Sequence, residues 1–317
     1  MGSVKRYYPW ILVAAIATFI TYIPALDNEF LNWDDPIYVT QNSLVLGDWS
    51  VEKLKGIFVE PVGGNYHPIT VLSLALDHTI FGRSAFAFHT INILLHVINV
   101  VLLFLFIFLF TRGKPIVAFI VAILFGLHPM HVESVAWISE RKDVLYVLFF
   151  LAGLITYLQY LFSKKSGYYF ATLIFFVLSV FSKPAAVVFP IVLILIDMYL
   201  YKHWRPKMLV NKIVFLIISI VVGLLTIQAQ DQANAFTDIG TLSNRFFFAC
   251  YGFNTYLAKL FVPIRLSALY PYPLEMHLKQ TLPFIFLISP VISFLIVALT
   301  IYSVKYFKKV VLWGVVF

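Results

Sequence analysis

Two adjacent carboxylates, Asp34 and Asp35, stand in the run Asn32-Trp33-Asp34-Asp35-Pro36-Ile37-Tyr38-Val39. Neighbouring carboxylates repel, which raises one pKa and keeps the other ionised. An ionised carboxylate can take a proton from an acceptor hydroxyl, or ligate a divalent cation through oxygen. Trp33 and Tyr38 suit a membrane interface, and Pro36 fixes a turn. The same residues also read as a solvated acidic loop.

Three further polar runs could take part. Gly63-Gly64-Asn65-Tyr66-His67-Pro68-Ile69-Thr70 has glycines for a tight turn and a Pro suited to a helix start. Its His67 can hydrogen-bond a substrate, or merely mark a loop-to-helix entry. His128-Pro129-Met130-His131-Val132-Glu133-Ser134-Val135-Ala136-Trp137-Ile138-Ser139-Glu140-Arg141-Lys142-Asp143 packs many polar types into one stretch. Val132, Val135 and Ile138 recur at helical spacing, which predicts a short surface helix. Its His and Glu residues do not follow the H-E-x-x-H metal pattern. Arg141 offers a planar fork and Lys142 a point charge, both suited to an anion. The last run is Ser182-Lys183-Pro184, where Lys183 reads as a phosphate contact or as a snorkelling side chain. His89, Asn92, His96 and Asn99 form a polar stripe on one helix face, read as interhelical hydrogen bonding. Asp197 and Cys250 read as structural, and Arg265 to Pro273 as an irregular aromatic stretch that lines a groove or sits in an interfacial belt.

The elements that must position these groups are membrane helices. Of 317 residues, 61% are hydrophobic and 12% charged, against about 45–50% and about 25% in soluble domains. A typical soluble enzyme and a disordered chain are both excluded. With ~20 apolar residues per span, runs at 8–26, 86–111, 115–130, 143–162, 168–182, 185–201, 213–229, 246–262 and 283–302 predict about nine spans. A partial run begins at 310. The first run lacks a small-residue cleavage site, so it reads as an uncleaved helix. Arg245, Asn254 and Lys259 make 246–262 more polar than its neighbours, so it reads preferentially as interfacial or re-entrant.

Basic residues mark the cytoplasmic side. Lys5, Arg6, Arg112, Lys114, Lys164, Lys165, Lys202, Arg205, Lys207 and Lys212 fall in alternate connections, while 27–84 holds Asp27, Glu29, Asp34, Asp35, Asp48, Glu52, Glu60 and Asp77. This predicts a cytoplasmic N-terminus and an outward-facing, folded first loop over 27–84. Lys305, Lys308 and Lys309 fit that alternation only if 246–262 does not span. The formal net charge of +8 is then an orientation signal, not a nucleic-acid footprint. The expectation is an all-α polytopic membrane bundle with no soluble domain. The single Cys250 permits no internal disulfide.

These motifs, in this order over roughly residues 20–200, resemble the membrane region of the transmembrane and tetratricopeptide-repeat-containing glycosyltransferases. That family belongs to the GT-C superfamily and is related to protein O-mannosyltransferases. The resemblance implies a GT-C-like bundle and a mannose-like sugar carried on a polyprenyl phosphate. A protein or glycan acceptor would be reached from the outer side. It implies a catalytic base at Asp34 or Asp35, with Asp34 slightly preferred, and donor phosphate contacts at Arg141, Lys142 and Lys183. Substrate contacts would come from Trp33, Tyr66, His67, His128, His131, Glu133 and Glu140. The resemblance fixes no cofactor, and a divalent cation on Asp34, Asp35, His128 and His131 stays an option. The family's later spans and repeats are absent, so the chain is expected to be incomplete after Phe317. A transporter or lipid flippase, or a non-catalytic anchor, is the alternative; the absence of internal repeats and the placement of charge at one face count against the transporter.

Overall fold

Helix starts and stops are written in the local chemistry. Pro occupies the first turn of the helices that begin at Tyr8, Pro68 and Pro115, where its missing N–H costs nothing. Ser50, Ser84 and Thr241 cap other starts by accepting from Lys53 N (3.0 Å), Ala87 N (3.3 Å) and Asn244 N (3.3 Å). Left-handed residues close helices at Gly82 (φ 63°) and Lys164 (φ 59°).

The computed structural model describes residues 7–201, 207–233, 241–270 and 282–316, without side chains for 207–208 and 303–316. Among them all regular elements are helical, beside one isolated bridge between Val62 and Asn65. Lys5, Arg6, Lys202, Arg205, Pro271 to Pro273 and Phe317 lie outside the described residues, as do the side chains of Lys207, Lys305, Lys308 and Lys309.

The chain divides into two units, one built from 1–194 and 204–235, the other from 195–203 and 236–317. The first contains α1 (Tyr8–Tyr22), α2 (Ser43–Leu46), α3 (Val51–Val59), α4 (Pro68–Phe81), α5 (Ala85–Phe110), α6 (Pro115–Leu127), α7 (Val132–Ala136), α8 (Arg141–Ser163) and α9 (Ser166–Ser182). The helix α10 (Phe189–Tyr201) passes from it into the second unit, and α11 (Lys207–Val210) and α12 (Ile213–Gln232) return to it. The second unit holds α13 (Leu242–Phe261) and α14 (Phe284–Val316). These two are joined by Asn254 Nδ2 donating to Ser289 O (2.9 Å) and by the Phe248–Phe286 ring contact (5.4 Å).

Six helices among the described residues are long and apolar enough to cross a membrane, and a bent pair would make a seventh. The expected nine is not reached, for three physical reasons. The helix α9 has 17 residues, roughly 25 Å at ~1.5 Å per residue, shorter than a ~30 Å hydrocarbon core. The run at 115–130 breaks at His128-Pro129, where Pro115–Leu127 and Pro129–Ala136 meet at 51°. The polar residues of α13 keep it out of the set. The run from 310 is no separate element either: α14 continues through it to Val316.

Within the first unit, α5 is the spine. Three of the four residues of the polar stripe tie α5 to its neighbours through backbone carbonyls, whereas among the described residues neither ring nitrogen of His89 has a hydrogen-bond partner. Asn92 Nδ2 donates to Trp137 O (3.1 Å), Asn99 Nδ2 to Val144 O (2.8 Å), and His96 Nε2 lies 3.2 Å from Gly126 O. At Gly126 the helices meet so closely that a Cβ would run into Thr18 Oγ1 and sit 3.0 Å from Val100 Cγ2. Gly126→Ala is therefore expected to cost about 1–3 kcal/mol by overpacking, read as a lower unfolding temperature in detergent. An unchanged temperature would mean that α1 and α6 give way freely. Beneath 27–84, Tyr38, Val45, Ile57, Val71, Leu74, Phe88 and Ile138 form a buried apolar cluster, which supports the polar groups around it.

Candidate functional site

The four polar runs that stand apart in sequence converge in the first unit. Asp35 is 1% exposed. Its Oδ1 accepts from Trp137 Nε1 (3.1 Å), Ser139 N (3.1 Å) and Ser139 Oγ, and its Oδ2 from Leu31 N (2.8 Å). This sews the first run to the third. Tyr38 stacks on His67 (5.2 Å, 27°), and Asn65 Nδ2 donates to Tyr38 Oη (3.2 Å), which joins the first run to the second. Thr70 Oγ1 donates to Ser182 O (2.8 Å), joining the second run to the fourth. Tyr66 donates to Phe58 O (2.8 Å) and meets Phe181 edge-on (5.9 Å). Gly63 must be glycine here: its φ is +56°, and a Cβ would lie 3.0 Å from Tyr38 Oη.

A charge cluster closes the circle. Lys142 Nζ sits 2.7 Å from Glu140 Oε1, donates to Ser139 O (3.3 Å) and lies over the Tyr38 ring at 4.8 Å. Lys183 Nζ pairs with Asp143 Oδ1 and lies 3.7 Å from Glu140 Oε2. Ser134 Oγ holds the other Asp143 oxygen at 2.8 Å. Lys183 is the most open of the four, its side chain 29% exposed. Burial pushes the Tyr38 phenol up to about 12, so it stays protonated. Burial, with Lys142 and Lys183 adding to it, pushes His67 down to about 3, so its ring is neutral at physiological pH.

Asp34 differs from its neighbour. It is half-buried, its backbone carbonyl accepts from Ile37 N (2.9 Å) and Tyr38 N (3.0 Å), and among the described residues no group hydrogen-bonds its carboxylate. Trp33 is exposed but lies 5.9 Å from the Trp137 ring.

Two of the expected site residues are engaged by the protein itself. Arg141 faces an anion within the protein, the Asp77 carboxylate. It is wholly buried, with Nη2 2.7 Å from Asp77 Oδ2 and 3.1 Å from Phe88 O, Nη1 donating to Ser73 Oγ (3.0 Å) and Nε to Asn92 Oδ1. It knots α4, α5 and α8 together. Asp35 is likewise engaged, with three donors on Oδ1 and one on Oδ2. The helical spacing of Thr70, Ser73 and Asp77, one polar face on the apolar α4, was the signal for Arg141's partners; nothing in the sequence marked Ser139.

His131 keeps aromatic company, with Phe125 (4.6 Å), His96 (5.9 Å) and His128 (6.0 Å). His128 Nδ1 accepts from Met130 N (3.2 Å), and Glu133 is exposed. Asp34, Asp35, His128 and His131 do not come together: among the described residues, no three His, Cys, Asp or Glu side chains form a group that could hold a metal.

The chain is homologous to protein O-mannosyl-transferases. It is 34% identical over 123 residues to protein O-mannosyl-transferase TMTC1 of Mus musculus, covering 37% of this chain and 12% of that protein. It is 36% identical over 96 residues to TMTC2 of Homo sapiens, covering 30% and 11%. The longer match, to protein O-mannosyl-transferase F38B6.6 of Caenorhabditis elegans, is 25% identical over 215 residues and covers 62% and 29%. The chain thus spans less than a third of the length of each of these relatives. No family model matches it, and no solved structure does.

Proposed function

We propose that this chain, a homologue of protein O-mannosyl-transferases, is the membrane part of a glycosyltransferase that moves mannose from a polyprenyl phosphate to an acceptor hydroxyl on the outer side of the membrane. The observation that carries this is the convergence of the four polar runs. They bring Asp35, and with it the adjoining Asp34, into one hydrogen-bonded cluster with Lys142 and Lys183. A transfer of this kind needs a base for the acceptor and a cation for the leaving phosphate.

In this reading the acceptor O–H gives its proton to Asp34 as its oxygen attacks the anomeric carbon. The bond from that carbon to the phosphate oxygen breaks, and the electron pair leaves with the polyprenyl phosphate. One displacement inverts the anomeric centre. Lys183, the more open lysine, meets the phosphate first, and Lys142 stands behind it on the Tyr38 ring. Glu140 and Asp143 hold both ammonium groups in place until the phosphate supplies negative charge. Asp35 keeps Asp34 in register with Trp137 and Ser139. The peptide or glycan acceptor would approach past the exposed Trp33.

Lys183→Gln removes the charge and leaves a polar side chain one bond shorter. It is expected to lower kcat/KM for the donor about 10²-fold, as loss of one stabilising donor does elsewhere. Transfer kinetics with a polyprenyl-phosphate mannose donor test this. Unchanged kcat/KM in Lys183→Gln would remove the lysine pair from the mechanism.

A further inference from the structure

His67 is a buried polar group that the fold leaves unanswered. It is 2% exposed, and neither ring nitrogen has a hydrogen-bond partner. Four other polar groups of the cluster, Asp35, Lys142, Lys183 and Asn65, each make hydrogen bonds. A buried polar atom without a partner costs free energy, and in a native structure it calls for an explanation. Packing alone does not need the nitrogens. The ring lies on Tyr38 at 5.2 Å and 27°, a contact that phenylalanine would make equally well.

Its surroundings indicate what is missing. Lys142 and Lys183 both act electrostatically on the ring. Lys142 Nζ lies over Tyr38, the same ring on which His67 stacks. A neutral imidazole offers one N–H. Beside two ammonium groups, the partner that satisfies that N–H best is an oxygen carrying negative charge. Three chain segments, 65–70, 141–143 and 182–184, would then each contribute one donor to the same anion.

We propose that His67 is a third contact to the donor's phosphate, its ring N–H donating to a phosphate oxygen held between Lys142 and Lys183. This rests on the transferase reading above and narrows the substrate contact expected of His67 to the donor's phosphate. It also assigns His67 a cost in the empty protein that ligand binding repays.

The test is equilibrium binding of polyprenyl phosphate, the sugar-free product, to the whole purified chain in lipid nanodiscs, with a melting curve for each variant. His67→Phe keeps the stack on Tyr38 and removes both nitrogens. It is expected to melt at or above the wild-type temperature and to bind polyprenyl phosphate about 10-fold more weakly, the loss of one hydrogen bond to a charged group. His67→Gln, which restores an N–H, is expected to recover part of that affinity. Binding of His67→Phe within about twofold of wild type would overturn the proposal. So would a large loss of thermal stability with unchanged binding, the signature of a ring held by buried water. Should His67→Phe fail to fold, His67→Leu and His67→Gln decide: weaker binding in His67→Leu than in His67→Gln supports the contact, and equal binding in the two overturns it. If the wild-type protein binds no polyprenyl phosphate, the donor reading itself falls and this proposal with it. If the wild type binds and His67→Phe matches it, only the His67 assignment falls.

Discussion

Asp34→Asn is expected to lower sugar transfer by about 10²–10⁴-fold, the usual contribution of a general base, while leaving the melting temperature unchanged. The substitution keeps the size of the side chain and its half-buried place, and its carboxylate carries no hydrogen bond that the fold depends on. The amide cannot take the acceptor's proton, so the loss falls on kcat rather than on donor KM. Asp35→Asn should behave in the opposite way. Asp35 accepts from Leu31, Trp137 and Ser139, and an amide accepts at one atom only. Its side-chain NH₂ would then face backbone or indole donors. Loss of stability, with a smaller and indirect fall in turnover, is the expected outcome. Measuring kcat, KM and melting temperature for both variants separates the two roles. Full activity in Asp34→Asn, or an equal kcat loss in a stable Asp35→Asn, would contradict the assignment.

Arg141→Met is expected to destabilise the protein by about 3–5 kcal/mol, the range for breaking a buried ion pair from one side. The guanidinium is wholly buried and meets Asp77, Ser73, Asn92 and Phe88 O. Removing it leaves the Asp77 carboxylate without its cation, and three helices lose their shared knot. Asp77→Asn placed on top of Arg141→Met should recover part of the loss, because the uncompensated charge is gone. Unfolding in detergent, with the double-mutant cycle completed, measures this. A destabilisation below about 1 kcal/mol, combined with a lost affinity for polyprenyl phosphate, would return Arg141 to the anion site.

Much of the site was legible in the sequence because polar groups in an apolar chain are costly and so stand out. The four runs around Asp34, His67, Glu140 and Lys183 were found for that reason, and they do meet. Composition could not say which of two adjacent polar residues faces the site. A one-residue step on a helix turns the side chain by about 100°. On α8 that step separates Arg141, which faces Asp77 and Asn92, from Lys142, which faces Tyr38 and Glu140. The same ambiguity kept Asp34 and Asp35 together until Ser139 and Trp137 were seen to claim Asp35. The span count differs for a related reason. Hydropathy reports apolar composition, but not the break at His128-Pro129 or the short reach of α9.

The most direct test of the central claim uses the purified chain in sealed proteoliposomes, loaded with polyprenyl-phosphate mannose labelled in the sugar and offered a hydroxyl-bearing peptide. Formation of labelled glycopeptide with the anomeric configuration inverted, absent in Asp34→Asn, is the predicted result. Movement of the intact labelled lipid between leaflets without any glycopeptide would contradict the account and make the chain a lipid transporter.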